Sequence, residues 1–305
     1  MNTSVSVVIP TYNAQHLLEE NLPTLFSALE NQDEVVIVDD ASSDDTVIWV
    51  INQFRLLKVP ELPLLKLPSK YQPAINDENT EVYIGQVFHK SQEINLSLIV
   101  NKINLRFAGT SNKGAALAKN DWLFLLNNDV MLERTAVKAL KNIVRKEPDL
   151  FAVGCIEYED SKRQVVSGKN KLWFERGLFI HSKADDFDFG ETGWASGGSA
   201  LFSKDKWLQL HGFDLRFYPA YWEDIDLSYR AKQRGWPVLF SPDAVVFHKH
   251  ETTNSDVIGV KQIEQISWKH SQYFTWKHAT VSQKLQFIFW LPYWTIKRYI
   301  STISL

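Results

Sequence analysis

Short apolar runs alternate with helix-spaced stretches through the first half of the chain, and this alternation restricts the folds open to it. The runs are Val5–Pro10 (VSVVIP), Glu34–Val38 (EVVIV) and Trp122–Leu126 (WLFLL). Ala14–Glu30 carries Leu17, Leu18, Leu22, Leu25 and Leu29 at helical spacing, and Leu132–Lys146 carries Ala136, Leu140, Ile143 and Val144. A strand that is apolar at nearly every position is buried on both faces, and such strands separated by helices predict an α/β fold with a mainly parallel sheet. Val59–Leu96 breaks the rhythm with Pro60, Pro63, Pro68 and Pro73 and the polar run NDENTE, and reads as a long loop or small insertion.

Composition narrows the function classes. The 305 residues carry 33 Lys+Arg against 36 Asp+Glu, a net charge of −3, so no basic field points to nucleic acid. The single cysteine, Cys155, leaves no internal disulfide framework and suits a reducing compartment. The first residues lack the basic segment of a signal peptide, and no uninterrupted apolar stretch approaches the ~18 residues of a spanning helix. The expectation is a cytoplasmic protein.

In open α/β sheets ligands bind beyond the carboxyl ends of the strands. Thr11–Tyr12–Asn13 follows the first run, Asp39–Asp40 opens DDASSDDT after the second, and Asn127–Asn128–Asp129 follows the third. Three polar or acidic clusters therefore fall on one edge, which suits a hydrated divalent cation and the polar groups of a nucleotide. Helix capping by Ser42 and Ser43 accounts for one cluster but poorly for three together. Gly-rich phosphate loops are absent; SNKGAALAKN could set a helix N-terminus and Lys113 near phosphate, a weak signal alone.

The blocks VSVVIPTYN, VVIVDDASSDDT, NLRFAGTSNKGAALAKNDWLFLLNNDV and ASGGSALFSKDKWLQLHGFDLRFYPAYWEDIDLSYRAKQRGWPVLFSPDAVVFHKH stand in an order that resembles glycosyltransferase family two, nearest its rhamnosyltransferase-like branch of bacterial polysaccharide enzymes. The resemblance spans Val5–His250 apart from the insertion. It implies a GT-A fold (Rossmann-like), a nucleotide-diphosphate-sugar donor, a divalent metal (Mn²⁺ or Mg²⁺) and inversion at the anomeric carbon. Pro10, Thr11, Tyr12 and Asn13 match the segment lining the nucleotide; Asp39 and Asp40 match the acidic pair, one of which contacts the base. Asn112 and Gly114 match a turn beside the donor. Asn127, Asn128 and Asp129 occupy the metal-motif position, where only Asp129 is a carboxylate, and His248 falls where this branch places a histidine near the metal.

YWEDIDLSYR, Tyr221–Arg230, puts three carboxylates into four residues. The resemblance identifies the second acid of its Glu-Asp pair as the catalytic base. Acids in a first helical turn are also favoured by the helix dipole without any catalytic role. Asp226 and Arg230 stand four apart and form a natural structural pair. Asp224 is thus preferred as base over Glu223, which orients the acceptor or Asp224. Ser196–Phe202 (SGGSALF) reads as a backbone approach to the acceptor or as a Gly-rich turn into a strand. Trp194 and Trp222 fit sugar stacking or core packing equally.

The chain divides into a catalytic domain over 1–255 and an aromatic, amphipathic extension over 256–305. Trp290, Tyr293 and Trp294 lie among Lys284, Lys297 and Arg298, and Pro292 interrupts the segment. Such a tail suits a bilayer interface, giving peripheral membrane contact on the inner face of the cell membrane, or packing on protein. The main expectation is an inverting, metal-dependent glycosyltransferase acting on a glycan or lipid-linked acceptor in cell-surface polysaccharide synthesis. The alternative is a catalytically inactive sugar- or nucleotide-binding scaffold that kept the fold, which the Asn-Asn-Asp variant alone favours.

Overall fold

A computed structural model describes residues 3–59, 80–159, 164–248 and 260–303. The three apolar runs form β1 (Val5–Thr11), β2 (Glu34–Asp39) and β6 (Trp122–Leu126). Helix α1 (Gln15–Ala28) and α4 (Ala136–Lys146) fall within the two helix-spaced stretches, and α2 (Thr46–Phe54) follows β2. Alternate residues of one strand feed different cores: Val5, Val7 and Ile9 of β1 pack with Leu18, Leu22 and Leu25 of α1, whereas Val8 joins Ala108 and Ala115 on the other face. All six residues of β2 are buried, as a strand covered on both sides requires.

The stretch expected to be an insertion is corrected in part. Two strands, β4 (Thr80–His89) and β5 (Gln92–Asn101), form a hairpin in the main sheet, and β5 pairs parallel with β2 along Asn95–Val100. The sequence masked this because β4 alternates half-buried and exposed positions at the sheet margin, next to the short edge strand β3 (Leu57–Lys58). Residues 60–79 lie outside the described part.

The sheet centre, β6-β1-β2-β5, is parallel. Beyond β6 it turns mixed: β13 (Ser199–Ser203) runs antiparallel to both β6 and β8 (Ala152–Tyr158), and β14 (Val238–His248) runs parallel to β8. The short β7 (Val130–Leu132) pairs antiparallel with β14, setting His248 opposite Val130. Helix α3 (Arg106–Leu117) crosses over β1 and β2 so closely that a Cβ on Gly114 would stand 2.4 Å from Val8 Cγ1 and 2.9 Å from Val38 Cγ2. Smaller strands complete the picture: β9 (Val165–Ser167) lies on β8, β12 (Gly190–Glu191) on β14, and β10 (Asn170–Glu175) with β11 (Leu178–Lys183) makes a separate hairpin. Helices α5 (Lys204–Gln209) and α6 (Glu223–Gln233) separate β13 from β14, and the extension forms α7 (Val260–His278) and α8 (Val281–Ile303).

Candidate active site

The predicted residues divide by what their polar atoms already do. Thr11 closes β1, and its Oγ1 accepts from Asn128 Nδ2 at 3.0 Å; the Asn128 carbonyl accepts from Asn21 Nδ2 at 2.7 Å. Asn127 donates its backbone N–H to the Gly198 carbonyl at 2.9 Å. Asn13, in a left-handed conformation, accepts Ser43 N–H at 2.7 Å on Oδ1 and so ties the loop after β1 to the loop after β2. Pro10 and Tyr12 are half-buried beside them. Ser42 does not cap α2; its hydroxyl accepts from Asn13 N–H, and its own N–H donates to Asp39 Oδ2 at 3.0 Å.

Asp39 and Asp40 are adjacent and buried, with opposite assignments. Asp40 accepts from Asn101 Nδ2 and from the backbone N–H groups of Leu105 and Arg106, at 3.1, 2.7 and 2.8 Å, and thereby anchors the start of α3. Asp39 keeps Oδ1 without a hydrogen-bond partner, and burial pushes its carboxyl up. A buried acceptor left open at the end of a central strand is what a ligand N–H or O–H would satisfy. Of the acidic pair, Asp39 is therefore the one with an open acceptor, and Asp40 is engaged by the chain itself.

Three expectations around α3 are corrected. Asn112, Lys113 and Gly114 lie inside the helix, not in a turn beside a donor, and all three are buried. Asn112 exchanges two hydrogen bonds with the backbone of Phe213, at 2.8 and 2.9 Å. Lys113 Nζ bonds Asn101 Oδ1 at 2.7 Å and the Thr80 hydroxyl, so it is turned toward β4 and β5 rather than held at a helix N-terminus. Burial of a lysine demands such partners, and here they come from the hairpin that the sequence concealed.

Asp129 and His248 do meet. The β7–β14 pairing brings His248 Nε2 to 3.1 Å from Asp129 Oδ1. On the other side of the ring, Glu157 Oε2 of β8 is 3.6 Å from Nδ1. Burial works against a charged imidazole here, but the two carboxylates outweigh it and push His248 up to about 10. Glu157 was missed by sequence reasoning. The signal was present: Glu157 directly follows FAVGCI, a further apolar run of the same kind, at the same end of the sheet. Carboxylate oxygen and neutral imidazole nitrogen are donors that Mn²⁺ accepts, so Asp129 and, once the arriving cation displaces its proton, His248 would fit two positions of a shell. Among the described residues no group of three His, Cys, Asp or Glu is placed to hold an ion unaided, so the remaining ligands would come from a diphosphate and water.

The acids of α6 separate as the sequence suggested. Asp226 is fully buried, with Arg230 Nε on one oxygen at 2.7 Å. Its other oxygen takes Lys277 Nζ at 2.6 Å and His278 Nε2 at 2.7 Å. Glu223 is buried with Oε2 lacking a partner, and burial followed by repulsion from Asp224 pushes its carboxyl well up. Asp224 is pushed up to about 6, chiefly by burial, while N–H donors from Ile225 and Gly197 hold it down and Glu157 adds repulsion. The Gly197 donor lies 3.4 Å from Asp224 Oδ2, so the SGG turn does bring backbone to this carboxylate. Trp222 is core; Trp194 is half-buried, edge-on to His181.

A parallel αβ centre with an open acid at the end of β2, an acid–histidine pair where β7 meets β14 and a carboxylate cluster at the start of α6 fits a GT-A glycosyltransferase domain. Solved structures agree on the fold: mannosyltransferase PcManGT from Pyrobaculum calidifontis, in complex with GDP-Man and Mn²⁺, is 15% identical with a TM-score of 0.53, covering 98% of this chain and 79% of that one. TarS 1-349 of S. aureus is 13% identical with a TM-score of 0.53, covering 93% and 70%. The glycosyltransferase-like family 2 model matches residues 76–262 and the glycosyl transferase family 2 model residues 6–55, and the chain belongs to this family. Among curated relatives, the N-acetylglucosaminyl-diphospho-decaprenol L-rhamnosyltransferase of Mycobacterium tuberculosis is 25% identical over 275 residues, 84% of this chain and 80% of the relative. The O-antigen chain rhamnosyltransferase RfbN of Salmonella typhimurium is 24% identical over 260 residues, 82% and 67%.

Proposed function

We propose that the chain is an inverting, metal-dependent hexosyl- or deoxyhexosyltransferase, of rhamnosyltransferase type, that extends a glycan or lipid-linked acceptor from a nucleotide-diphosphate sugar. The observation that carries this reading is Asp224: half-buried at the start of α6, held by two backbone N–H groups, and with its carboxyl pushed up to about 6. A base with its pKa near working pH combines the right protonation state with driving force for proton transfer. Asp224 takes the proton from the acceptor hydroxyl as that oxygen bonds to the anomeric carbon. The bond from that carbon to the diphosphate oxygen breaks on the opposite face, and its electron pair leaves with the nucleoside diphosphate. Glu223 orients the acceptor or Asp224; Asp39 accepts from the nucleotide. A divalent ion held by Asp129 and His248, when bound, offsets charge growing on the leaving diphosphate.

A lipid-linked acceptor gives the extension a purpose. One face of α8 is fixed to the protein: Arg176 donates to Tyr293 Oη at 2.7 Å, and Trp294 Nε1 donates to the Arg176 carbonyl at 2.7 Å. The other exposes Val281, Leu285, Ile288, Phe289 and Ile296, the composition of an interfacial helix. No helix among the described residues is long and apolar enough to cross a membrane, so the contact is peripheral.

A donor screen tests the function. Wild type and Asp224→Asn are incubated with a panel of nucleotide-sugars, an extract of lipid-linked acceptors and Mn²⁺ or Mg²⁺, and released nucleoside diphosphate is scored. Turnover of one donor by wild type alone is the expected result; equal turnover by both removes Asp224 as base. Absence of both turnover and nucleotide binding leaves the scaffold reading.

A further inference from the structure

The two residues just before the catalytic pair have an unusual backbone. Tyr221 and Trp222 both have positive φ, 72° and 79°, in succession and with large side chains. Bulky residues seldom adopt this conformation, and they keep it only where their surroundings hold it.

The surroundings are supplied by α7, from the C-terminal extension. His270 Nδ1 lies 3.0 Å from the Tyr221 carbonyl, and Trp222 Nε1 donates to Ser267 Oγ at 3.1 Å. The Trp222 ring packs on Phe274 at 5.2 Å. One turn further, Lys277 and His278 hold Asp226, the structural acid two residues past Asp224, and Lys277 also reaches Asp214 at 2.7 Å. Ser267, His270, Phe274, Lys277 and His278 follow the 3- and 4-residue spacing of one helix face. That single face thus holds the chain on both sides of Glu223–Asp224.

We propose that α7 is a positioning strut for the transfer step: Ser267, His270, Lys277 and His278 fix the Tyr221–Trp222 turn and the first turn of α6, and so aim Asp224 at the acceptor hydroxyl. The inference rests on Asp224 being the base. None of these four residues needs to touch substrate. Their effect passes through geometry, and a displacement of about 1 Å at a reacting group can cost ~10²-fold in rate. The donor-side residues Asp39, Asp129 and His248 stand on other elements, so donor binding is spared.

The test uses the full chain with Lys277→Met and the pair Ser267→Ala with His270→Phe, which keeps an aromatic ring at 270. Lys277→Arg and Ser267→Thr preserve the polar contacts and serve as rescue controls. Transfer kcat, donor KM and hydrogen exchange of residues 221–228 are measured together. The strut requires kcat to fall ~10–100-fold with donor KM within about threefold, faster exchange at 221–228, and recovery in the controls. Unchanged kcat overturns it, as does a parallel loss of kcat, donor affinity and thermal midpoint. If wild type transfers no sugar, the functional reading is what fails. Exchange then decides the strut alone, and unaltered exchange at 221–228 in the variants rejects it.

Discussion

The two ends of the site use polar residues in opposite ways. On the side of α3, Asp40, Asn112 and Lys113 are buried and spend their polar atoms on the chain itself. Around α6 and the strand ends facing it, Glu223 Oε2 and Asp39 Oδ1 are buried with no partner, and Asp224 is pushed up to about 6. A buried carboxylate whose oxygens are all engaged by cations or several N–H donors is committed to the chain, whereas an open or weakly held one is expensive and can be completed by a ligand. Acidic residues close in sequence, such as Asp39 and Asp40 or Asp224 and Asp226, fall on different sides of this division.

The sharpest break of the comparison is Asp224→Asn. It should lower transfer kcat by ~10²–10⁴-fold while nucleotide affinity in a binding titration stays within about threefold. Next in size is Asp40→Ala on the scaffold side, which strands the Asn101 amide and the Leu105 N–H, while Arg106 N–H keeps Asn104 Oδ1, and should cost about 2–3 kcal/mol in a denaturant titration. Nucleotide affinity of the folded fraction should hold; a large loss of affinity with intact stability would move Asp40 to the ligand side. Gly114→Ala sharpens the scaffold assignment further. Its new Cβ meets Val8 and Val38, and the overpacking should destabilise by about 1–3 kcal/mol with kcat/KM of the folded enzyme retained.

The smallest effect is a pH limb. Asp224 must be ionised to act, and its raised value means that the active form is lost as pH falls through about 6. At pH 5 the rate should be about tenfold below its plateau, while the thermal midpoint is no lower than at pH 7, because a carboxyl raised in the folded state favours folding more as pH falls. Asp226 and Asp214 report in the other direction. Their cationic partners outweigh burial and hold both carboxyls down. Their stabilisation is therefore intact above the ordinary carboxylate range and is lost only as pH falls below it.

Much of this was legible from local pattern. β1, β2, β6, α1 and α4 follow from continuous apolar runs and helical spacing, because burial on both faces leaves an unambiguous signature. Asp226 with Arg230 was legible as a structural pair for the same local reason, the four-residue helical spacing. The 59–96 stretch was not, since strands at a sheet margin are only half buried and carry no clear period. Glu157 was overlooked because a lone acid at a strand end carries no motif.

The sequence by itself determined the parallel core, the polar strand ends and the acidic start of α6, since each depends on residues near in the chain. Only the tertiary structure decided which of those acids the chain itself engages. Asp39 and Asp40 look alike until Asn101 and the start of α3 arrive at one of them, 61 to 66 positions away. Asp224 and Asp226 look alike until Lys277 and His278 close over Asp226 from the far end of the chain. Burial and hydrogen bonding set the charge state of a carboxylate, and both are properties of what the fold packs against it.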